Sequence, residues 1–405
     1  MTYEVLRFVA AMGAILVAAR VLGALAKRVG QPAISGEILA GVLLGPTALG
    51  LVAPTPALDV AGKIAVVLFL LAAGMEVDLS TLRREQRTAF LVGVSGIVFP
   101  FALGFGVAWF APDALSLDTT GDPMRGAMFL GIALSISALP VIVRTLQNIG
   151  LYRTPFGTSV VAAALLDDMV GWMLFGLLLA PLGVGAQGSA HGGPGPLWTI
   201  VAEVALAILL LSVFRRAVDR ALSRAAPRVG GIGVAVMAAA ATLAICATGR
   251  WTGVNAMFAA FVTGIAIGDS AHVPDRSRAI VAGGGERWVA PLFFGAIGLR
   301  VDFATHFDAE LCAVVLALAC AAKLLGCFLG ARCAGLPSRT AWAFGFAMNS
   351  RGAMEIVLGA AALEAGIVGP RMFVALVVMA IVTSVVAGPA ITRLMRAPAA
   401  SRDGR

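Results

Sequence analysis

Apolar runs of about twenty residues, each closed by a charged or Gly/Pro-rich break, recur along the whole chain. With a rise of about 1.5 Å per residue, a helix of roughly 20 residues crosses the hydrocarbon layer of a bilayer. The breaks predict thirteen helical spans, near 5–26, 33–52, 61–79, 88–110, 125–147, 157–181, 197–214, 230–249, 252–269, 287–304, 310–331, 339–363 and 371–393. Short segments of strict apolar/polar alternation, the mark of a membrane β-barrel, do not occur in the sequence. The predicted fold class is an all-α polytopic membrane protein. The longest break, Gly183 to Pro196, is rich in glycine and almost uncharged, which predicts a flexible exterior connection.

Composition agrees, with 60% hydrophobic and 13% charged residues. A net charge of +8 could suggest nucleic acid, but the basic residues lie in short loops between spans. With the N-terminus outside, 21 of the 30 Lys and Arg fall in cytoplasmic segments, 6 in exterior ones and 3 (Arg20, Lys323, Arg351) within spans. This is the positive-inside asymmetry, so the C-terminus is expected in the cytoplasm and no nucleic-acid partner is expected. The first residues carry only Glu4 and Arg7 and run straight into further spans, which predicts an uncleaved first helix. The cysteines (Cys246, Cys312, Cys320, Cys327, Cys333) lie in or beside apolar helices with no C-x-x-C or paired-His spacing. They read as small core residues, with no resident metal and no cofactor.

Two stretches of the chain repeat. Leu68 to Leu79 and Leu292 to Phe303 share the frame L-F-x-x-A-x-G-x-x-V-D, and Ile38 to Gly45 matches Phe261 to Gly268. Each pair is seven spans apart, an odd number, so matching helices cross the membrane in opposite directions. The expected organisation is a first inverted repeat over 1–181, an exterior loop and linker span over 182–229, a second repeat over 230–396 and a short cytoplasmic tail over 397–405.

Inverted repeats place binding sites where corresponding helices are discontinuous. The fifth and twelfth spans correspond, and both are interrupted: Ser135, Ser137 and Pro140 mark the first, Asn349, Ser350 and Gly352 the second. Pro140 in mid-span would free carbonyls around Ile136, and such carbonyls and half-helix ends can serve a cation.

Charge inside the spans completes the picture. Asp167 and Asp168 stand in succession in an otherwise apolar sixth span, and an ionisable side chain at bilayer depth is kept mainly where it binds or moves something. Neighbours on a helix diverge by about 100°, so one carboxylate can face a cation path while the other meets a protein partner. Lys323, central in the eleventh span, is the candidate partner; Arg351 and Glu355, four apart, can pair on one helix face and hold the broken twelfth span. Glu37 and Glu76 lie near span ends and read as interfacial or packing residues. Low-dielectric surroundings favour the neutral form of a carboxylate, which a proton or a dehydrated monovalent cation can supply, but not both at once. If only the occupied form switches between inward- and outward-open states, the two ions exchange obligatorily.

Taken together, "LSISALPVIVRTL", "ALLDDMVGWML", "PLFFGAIGLRVDF", the "AAKLLG" lysine helix and "FAMNSRGAMEIVL" resemble the monovalent cation:proton antiporters. The second of those families is the nearest in flavour, with its bacterial Na⁺/H⁺ antiporters, K⁺-efflux proteins and plant cation/proton exchangers. The resemblance runs over all thirteen spans. It implies a Na⁺/H⁺ antiporter-like fold with two discontinuous crossing helices, and a homodimer in a bacterial cytoplasmic (inner) membrane whose core moves like an elevator. By the same resemblance Asp168 carries the transported cation or the proton, and Asp167 pairs with Lys323. Many relatives have Thr where this chain has Ser135 and Ser137, so the ion, Na⁺ or K⁺, stays open. The Asp–Asp pair with a lysine resembles the electrogenic type.

Na⁺-coupled uptake of an organic anion on the same architecture is the alternative. Such a protein would want polar cavity residues without a central lysine and paired aspartates. An intramembrane aspartyl protease needs two separated catalytic aspartates, which adjacent residues do not offer, so no enzyme activity is expected.

Overall fold

The computed structural model describes residues 2–28, 33–46, 48–75, 86–112, 115, 123–179, 196–252, 254, 256–270 and 272–395. Among these, all regular structure is helical. In chain order the helices are α1 (Thr2–Arg28), α2 (Ala33–Leu44), α3 (Pro56–Met75), α4 (Gln86–Phe110), α5 (Pro123–Ser135), α6 (Leu139–Asn148), α7 (Pro155–Leu179) and α8 (Pro196–Leu209). There follow α9 (Arg215–Thr252), α10 (Ala256–Gly268), α11 (Asp275–Gly284), α12 (Ala290–Gly298), α13 (Phe303–His306), α14 (Ala309–Cys333), α15 (Ser338–Met348), α16 (Ala353–Glu364) and α17 (Pro370–Met395). The Gly-rich connection before Pro196, Glu76 and the tail after Met395 lie outside the described residues.

Six stretches among the described residues are long and apolar enough to cross a membrane: Glu4–Arg28, Pro56–Met75, Arg87–Phe110, Gly230–Thr248, Ala309–Cys333 and Pro370–Met395. Large apolar side chains such as Leu6, Val17, Ile208 and Phe110 are exposed, while Asp167, Lys323, Arg351 and Glu355 are buried. That inversion of a soluble protein's polarity suits lipid as the surrounding solvent. The chain is a multi-pass membrane protein.

Three expected spans differ in extent. The run 33–52 is helical only to Leu44, because Pro46 cannot extend the helix; the chain turns back, with Gly50 N–H donating to Gly45 O at 2.8 Å and Val52 N–H to Leu44 O at 2.9 Å. The run 287–304 is preceded by helix: α11 starts at Asp275 and passes through a π turn, Gly285–Val289, into α12. Arg276 and Arg278, expected in a loop, therefore lie on helical backbone, and Arg287, expected to open the span, lies in the π turn. The run 197–214 ends in a second π turn, Leu210–Phe214, and continues into α9, which Gly230 (φ 66°) kinks. Polar residues made these helical turns look like breaks.

The chain divides into two compact units, one of Met1–Leu79 with Met169–Phe307, the other of Ser80–Asp168 with Asp308–Arg405. Each draws on both halves of the sequence.

In the first unit α3 lies against α10, and α2 against α12. The approach is close enough to exclude side chains. A Cβ on Gly74 would run into the Phe261 carbonyl and one on Gly264 into that of Leu71; a Cβ on Gly298 would run into the Ile38 carbonyl and one on Gly41 into that of Gly295. The repeat frames equate Gly74 with Gly298 and Gly41 with Gly264, so equivalent glycines make equivalent contacts. Gly74→Ala and Gly298→Ala are each expected to destabilise by about 1–3 kcal/mol through overpacking. Thermal unfolding of the detergent-purified protein reads this, and melting temperatures equal to the parent's would contradict it. Elsewhere in the unit Ile15, Val52, Leu58 and Leu299 form a core cluster, and Glu37 is buried on α2 beside Gly23 of α1.

At the start of α9, outside its apolar stretch, Ser270 Oγ donates to the Asp219 carboxylate, His272 Nδ1 lies 3.5 Å from it, and Arg215 pairs with Asp269 at 2.8 Å. The Ser270 hydroxyl, helped by His272, holds the Asp219 carboxyl below the usual carboxylate range. A lowered value stabilises fully above the ordinary carboxylate range and is lost as pH falls through the lowered value. Ser270→Ala is therefore expected to shift the acid edge of unfolding slightly towards higher pH, as read by melting temperature between roughly pH 2 and pH 5. An unmoved edge would remove Ser270 from that stabilisation.

In the second unit α4 packs on α5 and α14, and α14 on α15 and α17. Asp308 caps α14 by accepting from Leu311 N–H at 3.0 Å. Gly326 and Gly330 let α14 approach Ser95 of α4, and Phe156 meets Phe344 edge-on with centroids 5.0 Å apart. These contacts surround two interrupted helices.

Candidate functional site

The first interruption separates α5 from α6 at Ile136–Ala138, and the second separates α15 from α16 at Asn349–Gly352. Pro140 does not sit within the first gap, as its position in the sequence suggested. It occupies the first turn of α6, where a missing N–H leaves no bond unmade. Gly352 is required by proximity: a Cβ there would stand 2.7 Å from Val141 Cγ2 and 3.3 Å from the Ala138 Cβ.

The two gaps are bonded to each other. Ala138 N–H donates to Ser350 O at 3.0 Å, and Ser137 Oγ donates to Met348 O at 2.6 Å. Ser135 Oγ donates to Gly131 O at 2.7 Å and lies 3.0 Å from Ile97 O.

Two buried cations meet the end of α5. Arg351 reaches the carbonyls of Ala133 (2.7 Å), Leu134 (2.6 Å) and Ile136 (3.3 Å) and pairs with Glu355 Oε1 at 3.0 Å. Lys323 Nζ donates to the Ser135 carbonyl, to Gly96 O at 2.9 Å, and to Asp167 Oδ1 and Oδ2 at 3.0 and 3.1 Å. A helix C-terminus carries partial negative charge, so a guanidinium and an ammonium are favourable there. The freed carbonyls around Ile136, expected to be open to a transported cation, are thus occupied by side-chain cations of the protein itself. Ser137 N–H also donates to Asp167 Oδ2 at 2.7 Å, giving that carboxylate a full set of partners.

Asp168 is different. It is 3% exposed, and the Leu139 N–H bonds its carboxylate, yet no donor among the described residues reaches Oδ1. The ion pairs of this region join Lys323 to Asp167 and Arg351 to Glu355, so among the described residues no basic group makes a direct ion pair with Asp168, and Lys323 acts on it only at longer range. An unpartnered buried carboxylate oxygen is costly unless something binds it. Ser350 Oγ and Asn349 Oδ1, in the second gap, also lack hydrogen-bond partners among the described residues.

The site therefore combines a neutralised carboxylate, Asp167, with an uncompensated one, Asp168, beside two linked helix breaks. Sequence reasoning missed three contributors. Gly96 supplies a backbone carbonyl, which no residue type announces. Cys320 accepts from Asn349 Nδ2 at 3.3 Å. Ser384 Oγ donates to the Arg351 carbonyl, and its polar position in the apolar last span was a legible signal.

Residues 14–397 match the family model described as "Sodium/hydrogen exchanger, transmembrane". The chain is 31% identical to Cation/H(+) antiporter 20 of Arabidopsis thaliana, over 94% of this chain and 48% of that protein. It is 28% identical to Na(+)/H(+) antiporter NhaS4 of Synechocystis sp., over 94% and 95% of the two chains, and 25% identical to Na(+)/H(+)-K(+) antiporter GerN of Bacillus cereus, over 93% of each. The chain thus spans about half the length of the plant relatives and nearly all of these bacterial ones. Its fold is similar to that of the sodium proton antiporter MjNhaP1 from Methanocaldococcus jannaschii, with a TM-score of 0.71 over 96% of this chain and 98% of that one at 16% identity. With the match extending over nearly all of its helices, the chain belongs to the transmembrane sodium/hydrogen exchanger family.

Proposed function

We propose that this protein is a secondary active transporter that exchanges a monovalent cation, Na⁺ first and K⁺ as the other candidate, for protons across the cytoplasmic membrane. The observation that carries the reading is the asymmetry of the aspartate pair. Asp167 is matched by Lys323 and the Ser137 N–H, whereas Asp168 has an oxygen to which nothing among the described residues donates. A proton and a dehydrated alkali cation compete for that oxygen, since either one neutralises it. Exchange follows if the neutralised form alone changes access.

The relatives named as Na⁺/H⁺ and cation/H⁺ antiporters support this chemistry. The match to GerN, named for K⁺ as well as Na⁺, keeps both ions in play. The exchanged glycine contacts of α3–α10 and α2–α12 support two structural repeats. We assign these as inverted repeats in a thirteen-span topology, and the concentration of Lys and Arg in alternate connections supports an N-terminus outside and a C-terminus in the cytoplasm. In the transport cycle we assign an elevator-type movement within a homodimer, with the two linked helix breaks carrying the ion beside Asp168. Arg351 and Glu355 act as the structural pair that ties the second break to α5.

The test is purified protein in liposomes with an internal pH reporter, titrated with each alkali cation at clamped voltage. Proton efflux driven by Na⁺ or K⁺ is expected. Na⁺-driven uptake of an organic anion without proton movement would replace this reading with symport.

A further inference from the structure

Asn349 stands at the junction of the two helix breaks, and its backbone is fixed on both sides. The preceding carbonyl, of Met348, accepts from Ser137 Oγ at 2.6 Å, and the following one, of Ser350, accepts from Ala138 N–H at 3.0 Å. Its side chain is 5% exposed. Among the described residues only one end of the amide is engaged: Nδ2 donates to Cys320 Sγ at 3.3 Å, while Oδ1 receives no hydrogen bond.

The chemistry of the two ends differs. An amide nitrogen repels a cation, and an amide oxygen is a hard donor of the kind alkali and alkaline-earth ions prefer. A thiol sulfur accepts hydrogen bonds weakly and is a poor ligand for a hard cation. It can therefore hold the NH₂ group without competing for the ion. Cys320 lies one helical turn before Lys323 on α14, so the residue that steers Asn349 shares a helix face with the one that neutralises Asp167. Asp168 Oδ1 and Ser350 Oγ, on residues bonded to the same junction, likewise have no donor among the described residues.

We propose that Asn349 presents its amide oxygen as a ligand to the transported alkali cation, and that the Cys320 thiol is the positioning group that keeps the oxygen, rather than the nitrogen, turned towards the ion. The proposal rests on the antiport reading and adds a ligand and an orienting residue to it.

A symmetric replacement separates orientation from packing. In Cys320→Val the acceptor is lost and the amide can turn over. The half-saturating cation concentration is expected to rise roughly five- to tenfold, with a smaller change in maximal rate. Cys320→Ser keeps an acceptor and restores the parent value. In an Asn349→Asp background both terminal atoms are oxygens, so adding Cys320→Val should leave the half-saturating concentration where Asn349→Asp alone puts it. A packing role for Cys320 would persist in that background.

The readouts are exchange in liposomes and the rise in melting temperature on adding NaCl or KCl to detergent-purified protein; Cys320→Ala repeats the contrast if the valine variant does not fold. Equal half-saturation in parent, Cys320→Val and Cys320→Ala, with exchange intact, overturns the proposal and leaves antiport standing. Absence of cation-driven proton flux in the parent overturns antiport itself.

Discussion

Asp168→Asn is expected to bring cation-dependent proton flux down to the level of protein-free liposomes while leaving the protein folded and at least as stable as the parent. The two effects share one cause. The carboxylate is buried with an oxygen that has no donor and no basic partner among the described residues, so its charge is a burden on the unliganded fold. An amide of the same shape removes that burden, and with it the ability to exchange a proton for a cation. Ligand linkage gives a second reading. A cation at 100 times its dissociation constant stabilises a protein by about 2.7 kcal/mol, so the parent should melt higher in saturating NaCl or KCl. The asparagine variant should show no such rise. Exchange at the parental rate, or an undiminished salt-induced shift, would take Asp168 out of the mechanism.

Lys323→Met is the substitution from which we expect the largest loss of stability. It strands the fully buried Asp167 and leaves the Gly96 and Ser135 carbonyls without their donor. Breaking one side of a buried ion pair costs about 3–5 kcal/mol, a large share of a typical domain's stability of about 5–15 kcal/mol. Low yield and a collapsed melting temperature are the expected signs. Replacing both partners, as Lys323→Met with Asp167→Asn, should recover much of the loss, because no buried charge then remains uncompensated. A double-mutant cycle in thermal unfolding measures this. Additive losses would mean that the pairing holds little, and that Lys323 serves mainly the two carbonyls.

The residues around which these predictions turn stand out in the sequence for one physical reason: in apolar surroundings every charged or helix-breaking residue must be accounted for. Asp167, Asp168, Lys323, Arg351 and Gly352 could be picked out on that basis alone. What could not be read is where the backbone groups go. Arg351 closes the carbonyls of Ala133 and Leu134 from more than two hundred positions away, with sequence separations of 218 and 217, and no local pattern encodes that. Helix limits were also obscured. The polar opening of α11 resembles a loop, and the run after Leu44 remains apolar although Pro46 has already ended the helix. The two compact units, each assembled from distant stretches, are likewise a product of tertiary packing that periodicity does not report.

The bonds that join the two helix breaks have unequal tolerance of evolutionary drift. Ser350 contributes only its main-chain oxygen to Ala138, a group that every amino acid carries, so this link does not depend on the Ser350 hydroxyl, although the buried position admits only a small side chain. Ser137 contributes its hydroxyl to Met348, which threonine could imitate and an aliphatic residue could not. One half of the fastening is thus anonymous and the other half is written in a single side chain, so alanine at 137 removes a bond that alanine at 350 leaves in place.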